Sequence, residues 1–413
     1  MTVTAPVPAS VDVRRVLTRS LTICAALAIP AMVLRAGGLH PAPVVAMLVY
    51  GAAVVAASFL LAWAAEAAQL DISGGLAVAI LAFIAVLPEY AVDLTYAYTA
   101  GHDPTFVQYA AANMTGSNRL LLGVGWPVVV LVAVWCLRRS GSPARALALD
   151  ESNRLELGFL LVAGVIAFVM PVSGQIHLAF GLVLLAWFAA YAWRLAHGEA
   201  EEPHLIGTSA ALGALPRSRR RITIAVVMVL AAVVILAAAE PFAHALVDAG
   251  KELGIDEFLL VQWVGPLASE APEFIVAILF ARRGNGVLAI GTLISSKVNQ
   301  WTLLVGTIPL AYLAGGGGVS LPLDDRQVEE MLLTATQTLL GIALVASLRF
   351  SRQSAWLLLV LFLAQFPLTG TSARLVLSAV YAAIALVAFV VNRRQLPSLV
   401  AAIWRRQEPP PPA

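Results

Sequence analysis

Apolar and polar positions alternate along the chain on the scale of whole segments rather than single residues. Twelve apolar runs stand out, at roughly 18–36, 42–66, 74–100, 106–137, 155–172, 175–196, 222–249, 257–281, 287–315, 328–348, 354–369 and 372–392. Each is near the ~20 residues that an α-helix needs to cross a bilayer. The longer ones leave room for tilt or for a break. The pattern predicts an all-α polytopic membrane protein. The segments between runs are short and carry most of the arginines.

Composition agrees. The chain has 413 residues, of which 60% are hydrophobic and only 12% charged. Its mean hydropathy is +0.86. A soluble domain carries about 25% charged residues, so this one needs an apolar surrounding. The lipid bilayer is the expected partner; nucleic acid is not, and protein partners are not specified. Cys24 and Cys136 both fall in apolar runs, which argues against a disulfide framework or a metal cluster. Arginines precede the first run as in a signal peptide. No small-residue cleavage site follows, so a retained helix is expected.

The basic residues orient the spans. With the N-terminus placed in the cytoplasm, 20 of the 26 basic residues fall in cytoplasmic segments. They are Arg14, Arg15, Arg19, Arg138, Arg139, Arg145, Arg154, Arg194, Arg217, Arg219, Arg220, Arg221, Arg282, Arg283, Arg349, Arg352, Arg393, Arg394, Arg405 and Arg406. Only Arg35, Lys251, Arg326 and Arg374 fall on the other side, and Arg119 and Lys297 lie within spans. Such a bias predicts both termini inside a plasma (inner) membrane. The arginines at 217–221, after the acidic patch Glu199–Glu202, act as a topology signal or touch anionic lipid.

An internal repeat sharpens the picture. Glu66 and Glu240 each close an Ala-Glu step near the end of one run. The next runs carry Pro88-Glu89-Tyr90 and Pro272-Glu273-Phe274. Polar patches then open a further run, Asn113-Met-Thr-Gly-Ser117-Asn118 and Thr292-Leu-Ile-Ser-Ser296-Lys297. The spans holding Glu89 and Glu273 run in opposite directions, so the halves are inverted repeats. Inverted repeats are a common transporter plan, with the substrate at the midplane. The expected organisation is an N-terminal tail (1–17), a first half (18–196, repeat about 66–125), a cytoplasmic linker (197–221), a second half (222–392, repeat about 240–306) and a C-terminal tail (393–413).

Buried carboxylates cost on the order of 2.5–3.5 kcal/mol each in hydrocarbon. Glu89 and Asp93 are four apart, and Glu270 and Glu273 three apart, so each pair shares a helical face. Pro88 and Pro272 are expected to break their helices and to free carbonyls one turn back. With Ser117, Ser296, Thr115, Thr292, Asn113, Asn118 and Gln300 these groups would form an oxygen-rich cage, the preference of Na⁺ or Ca²⁺. The bland alternative pairs the acids with Arg119 and Lys297. Glu66 and Glu240, nearer span ends, read as solvated or capping. His102, His177, His197, His204 and His244 lack ligand spacing. Lys297 is either a snorkelling side chain or a tethered cation paired with Glu270 or Glu273. The Gly315–Gly318 run reads as a flexible turn. No nucleophile–base pair, zinc motif or phosphate loop is present, so no enzyme activity is expected.

The paired segments resemble the two alpha repeats of the sodium/calcium exchanger (cation/Ca²⁺ exchanger) superfamily. Ala85-Val86-Leu87-Pro88-Glu89 and Ser269-Glu270-Ala271-Pro272-Glu273 stand for its Gly-Thr-Ser-x-Pro-Glu motif. Ala112 to Leu121 and Gly291 to Gln300 stand for its Gly-Asn-x-x-Gly-Ser-Asn-x-x-Asn/Asp motif. The resemblance implies an inverted-repeat exchanger fold with about 10–12 transmembrane helices. It implies Glu89 and Glu273 as central Ca²⁺ (metal) ligands and Ser117 and Ser296 as site-lining hydroxyls. The departures are Val86, Glu270, Leu121, Gln300 and Lys297. The activity implied is secondary antiport of Ca²⁺ for Na⁺ or H⁺ by alternating access, with no cofactor besides the transported cations. The alternatives are a monovalent cation/proton exchanger, in which Lys297 replaces a bound cation, and a non-transporting membrane protein of the same fold.

Overall fold

The fold was analysed in a computed structural model, which describes residues 13–72, 84, 86–197, 205–368 and 370–404. The start of the expected span 74–100, His204, the acidic patch Glu199–Glu202 and the ends of both tails lie outside these residues.

Helices α1 (Val13–Ala36), α2 (Pro43–Ala68) and α3 (Leu87–Ala100) are followed by α4 (Val107–Leu120). A π-helical turn, Leu121–Gly125, joins α4 to α5 (Trp126–Arg139). Helices α6 (Asn153–Ile166), α7 (Val169–Ser173) and α8 (Leu178–Ala196) complete the first half. The second half contains α9 (Thr208–Gly213), α10 (Arg217–Leu253), α11 (Glu257–Arg282) and α12 (Gly286–Asn299). A second π-helical turn, Gln300–Leu304, joins α12 to α13 (Val305–Ala314). Then come α14 (Asp325–Val345), α15 (Arg352–Ala364), α16 (Thr371–Val391) and α17 (Leu396–Trp404). Among the described residues, nine helices are long and apolar enough to cross a membrane. Large apolar side chains such as Leu182, Val183, Leu386 and Val387 face outward, while Glu89, Asp93, Arg119, Glu270, Lys297 and Glu330 are buried inside. That inversion fits a hydrocarbon solvent.

Local sequence sets the ends. Asp324 opens α14 with a capping box closed by Gln327. Asp256 caps α11 through the Phe258 amide, and Gly254 closes α10 in the left-handed region at φ 66°. Two short antiparallel pairs join loops from opposite halves. β1 (Ala146–Ala148) pairs with β4 (Arg349–Ser351), and β2 (Gln175–His177) with β3 (Ser320–Pro322). They bring together loops that the span alternation assigns to common faces.

Several expectations change. The segment read as a C-terminal tail carries α17, whose Leu399 and Ile403 are buried against α6. Within 287–315 and 106–137 the helix is re-registered by a π turn rather than stopped. Gly315 is no free hinge: a Cβ there would lie 1.9 Å from the Tyr98 carbonyl oxygen, so the glycine permits α13 to close on the end of α3. Among the described residues, the linker contains α9 and the first turns of α10.

At the start of α10, Asp71 pairs with Arg220 at 2.7 Å, Arg221 at 3.1 Å and Arg217 at 3.5 Å. The Arg220 hydrogen bonds hold the Asp71 carboxyl well below the usual carboxylate range. A lowered folded-state pKa contributes stability that is in place above the unfolded value of about 3.9 and fades only below it. The gap in thermal midpoint between wild type and Asp71→Asn is therefore expected to be constant from neutrality to about pH 4 and to shrink below it. A gap that closes near neutrality would refute the assignment.

Candidate functional site: a carboxylate pair between the repeats

A close helix crossing brings α4 against α11. Gly116 makes it possible, because a Cβ there would lie 1.8 Å from the Gln262 carbonyl oxygen. The crossing places Ser117 of α4 between carboxylates from both halves. Its hydroxyl lies 2.8 Å from Glu89 Oε1 and 2.5 Å from Glu270 Oε1. Gln300, the first residue of the second π turn, donates from Nε2 to the same two oxygens at 3.1 Å each. Glu89 sits in the first turn of α3, next to Pro88. A helix N-terminus there favours negative charge, and proline in the first turn costs no hydrogen bond.

A cavity of about 40 Å³ opens beside the pair, lined by Ser58 of α2, Glu89 and Pro88 of α3, and Ser269, Glu270 and Glu273 of α11. It has room for a bare ion with a water or two, not for a fully hydrated one. Ser296 lies beside Glu273. Glu270 Oε2 and Gln300 Oε1 are buried without a hydrogen-bond donor. Buried acceptors without donors are costly, and they suit a cation. Among the described residues no three carboxylates, histidines or cysteines converge at coordinating distance. The arrangement is a carboxylate pair held by two donors, not a closed cage.

The other expected residues divide. Asp93, fully buried, faces the Asn113 amide, yet neither of its oxygens completes a hydrogen bond. Asn113 Oδ1 is wedged against Gly265. Thr292 is exposed and bonds back to the Leu288 carbonyl, away from the carboxylates, because its position faces outward on α12. Asn118 holds Lys297 instead of facing the cavity. The Lys297 ammonium donates to the Asn118 backbone oxygen and, at 2.8 Å, to Asn118 Oδ1. Lys297 thus departs from the expected pairing with Glu270 or Glu273. It is fully buried, which also excludes snorkelling. Pro272 is no break either: α11 runs through Pro266 and Pro272, and only the ladder bond to one carbonyl is lost. Glu240 pairs with Arg35 at the surface, as a solvated residue would; Glu66 is half-buried.

Residues 42–196 and 223–369 match the family described as sodium/calcium exchanger protein. The chain belongs to this family. It is a family of polytopic transporters, and the inverted-repeat exchanger fold is shared. One solved structure, that of the H⁺/Ca²⁺ exchanger CAX, is 40% identical, with a TM-score of 0.88 over 95% of this chain and 98% of that one. Native YfkE is 15% identical, with a TM-score of 0.61 over 88% of this chain and 98% of that one, a likeness of fold alone. No curated protein sequence matches.

Sequence reasoning missed three contributors. Ser58 is one small polar residue in an apolar run, with no signal to mark it. Glu156 accepts from Ser295 at 2.7 Å, and Tyr191 meets the same hydroxyl at 2.8 Å, forming a polar strand beside Ser296. Glu330 lies at the start of the expected run 328–348 and outside the repeat motifs, so nothing in the sequence singles it out. It is fully buried and paired with both Arg119 and Arg374.

Proposed function

We propose that the chain exchanges Ca²⁺ for protons across the bilayer by alternating access, with Glu89 and Glu270 as the acids that hold the cation and Glu273 lining the cavity beside them. The observation that carries this reading is the pair Glu89–Glu270, one carboxylate from each half, bridged by Ser117 and Gln300. A serine hydroxyl has one proton to donate. Two short contacts to carboxylate oxygens are satisfied together when one carboxyl carries a proton and donates back. The cation-free pair thus holds a proton that a cation would displace. On binding, the Ser117 lone pairs and Gln300 Oε1 turn to the ion, adding neutral oxygens of the kind Ca²⁺ prefers. The 40%-identical relative is named for exchange of the same two ions.

A monovalent cation/proton exchanger remains the second reading, favoured by the buried positive charge of Lys297 near the pair. We place the protein in the plasma (inner) membrane with both termini cytoplasmic, on the arginine bias. The test is radioactive Ca²⁺ uptake into proteoliposomes. A pH gradient, with Na⁺ replaced by choline, is expected to drive uptake above the gradient-free control. Na⁺ flux without Ca²⁺ flux would favour the second reading. The absence of both would favour a non-transporting member of the fold.

A further inference from the structure

The two π turns begin at equivalent places in the halves, Leu121 and Gln300, 179 residues apart. The same offset relates Ser117 to Ser296 and Asn118 to Lys297. Asn118 and Lys297 are therefore repeat equivalents, and they touch each other. The contact lies where the two halves meet, beside the carboxylate pair. No acid stands within ion-pair distance of Lys297 among the described residues. Its partners are a backbone carbonyl, an amide oxygen and the face of Trp301, whose ring centroid is 5.6 Å away.

We infer that the Lys297 ammonium is a resident monovalent cation, fixed at the junction of the repeats, which makes Ca²⁺ exchange by this protein independent of Na⁺. A carbonyl oxygen, an amide oxygen and an aromatic face are a coordination that Na⁺ also takes. The ammonium is a compact point charge of the same sign and size of charge. Fully buried and doubly bonded to Asn118, it does not exchange with the solution. A mobile cation at this junction would have to displace it against like-charge repulsion. Lys297 is thus a specificity-determining residue: it stabilises the carboxylates as a co-bound cation would and closes the position to Na⁺.

This inference rests on the Ca²⁺ exchange reading above, so uptake by the wild-type protein under a pH gradient is measured first. Its absence would remove that reading without bearing on Lys297. Given uptake, replacing choline by Na⁺ is expected to leave the wild-type rate and thermal midpoint unchanged. Lys297→Asn restores the residue of the other repeat and opens the position. Its midpoint is expected to rise with Na⁺, and its Ca²⁺ uptake to be stimulated on the order of fivefold or more, the low end of ordinary coupling between sites. Na⁺ stimulation or stabilisation of the wild-type protein would overturn the inference, and needs no variant. A folded Lys297→Asn that ignores Na⁺ would overturn it equally.

Discussion

Replacing Glu330 by glutamine is expected to destabilise the protein by about 3–5 kcal/mol, the usual effect of removing one partner from a buried ion pair. Glu330 lies in the second turn of α14 and is fully buried. One oxygen receives Arg119 of α4, the other Arg374 of α16. Gln262 of α11 adds a hydrogen bond of 3.0 Å and also reaches Thr115 at 3.2 Å. Arg119 stacks over Trp263 at 5.2 Å. One carboxylate thus ties four helices together, and its loss leaves Arg119 in a low-dielectric interior without a counter-charge, while Arg374 keeps the more distant Glu329 and Asp256. The measurement is the thermal midpoint in detergent. Glu330→Gln should lower it by several degrees. A triple variant with leucine at Glu330, Arg119 and Arg374 should recover much of the loss, since a buried ionic cluster replaced as a whole by apolar residues is often neutral. An unchanged midpoint for Glu330→Gln would mean that the cluster does not hold these helices together.

This cluster also marks the boundary of what the sequence discloses. The spans, the inverted repeat and the carboxylates in its two halves are legible because a bilayer enforces length and apolarity, and because each buried charge stands out. The recurring Pro-Glu contexts mark Glu89 and Glu273 as equivalents; that Glu89 instead shares Ser117 with Glu270, three residues earlier on α11, is seen only in the packing. What a linear pattern lacks is the partner across a helix crossing. Asp324 caps α14, and Glu329 and Glu330 follow at the start of the expected run 328–348, outside the repeat motifs. Only packing reveals that the last is an internal counter-ion. Thr292 shares a motif position with Asn113, but on α12 that position faces outward. Pro272 and Pro88 look alike in sequence, yet one lies within a continuous helix and the other in a first turn. Lys297 invited an acid as its partner. Its reach instead ends on the oxygens of its own repeat equivalent, a contact that a repeat alignment would suggest only if the two halves were already known to meet there.

Glu89→Gln is expected to lower Ca²⁺ uptake by two orders of magnitude or more. The substitution keeps the shape of the side chain and removes one charge from the pair that Ser117 and Gln300 organise. A unit charge at ~4 Å and an effective dielectric of ~20 is worth about 4 kcal/mol, and twice that against a divalent ion. Side-chain relaxation and water in the 40 Å³ cavity reduce the figure, but each 1.4 kcal/mol retained is tenfold in affinity. The amide also removes a titratable group, so the proton proposed to sit on the Glu89–Glu270 pair has one carboxylate fewer to occupy. Cation affinity and proton coupling are therefore lost together. Folding is expected to be preserved, because a neutral amide in place of a carboxyl reduces the number of buried like charges, and its oxygen still accepts from Ser117. Glu240→Gln is the control: Glu240 pairs with Arg35 at the surface and its loss should leave uptake within a factor of about two, as exposed ion pairs contribute little. Uptake by Glu89→Gln close to the wild-type rate would remove Glu89 from the transport site and leave the carboxylate pair a structural feature.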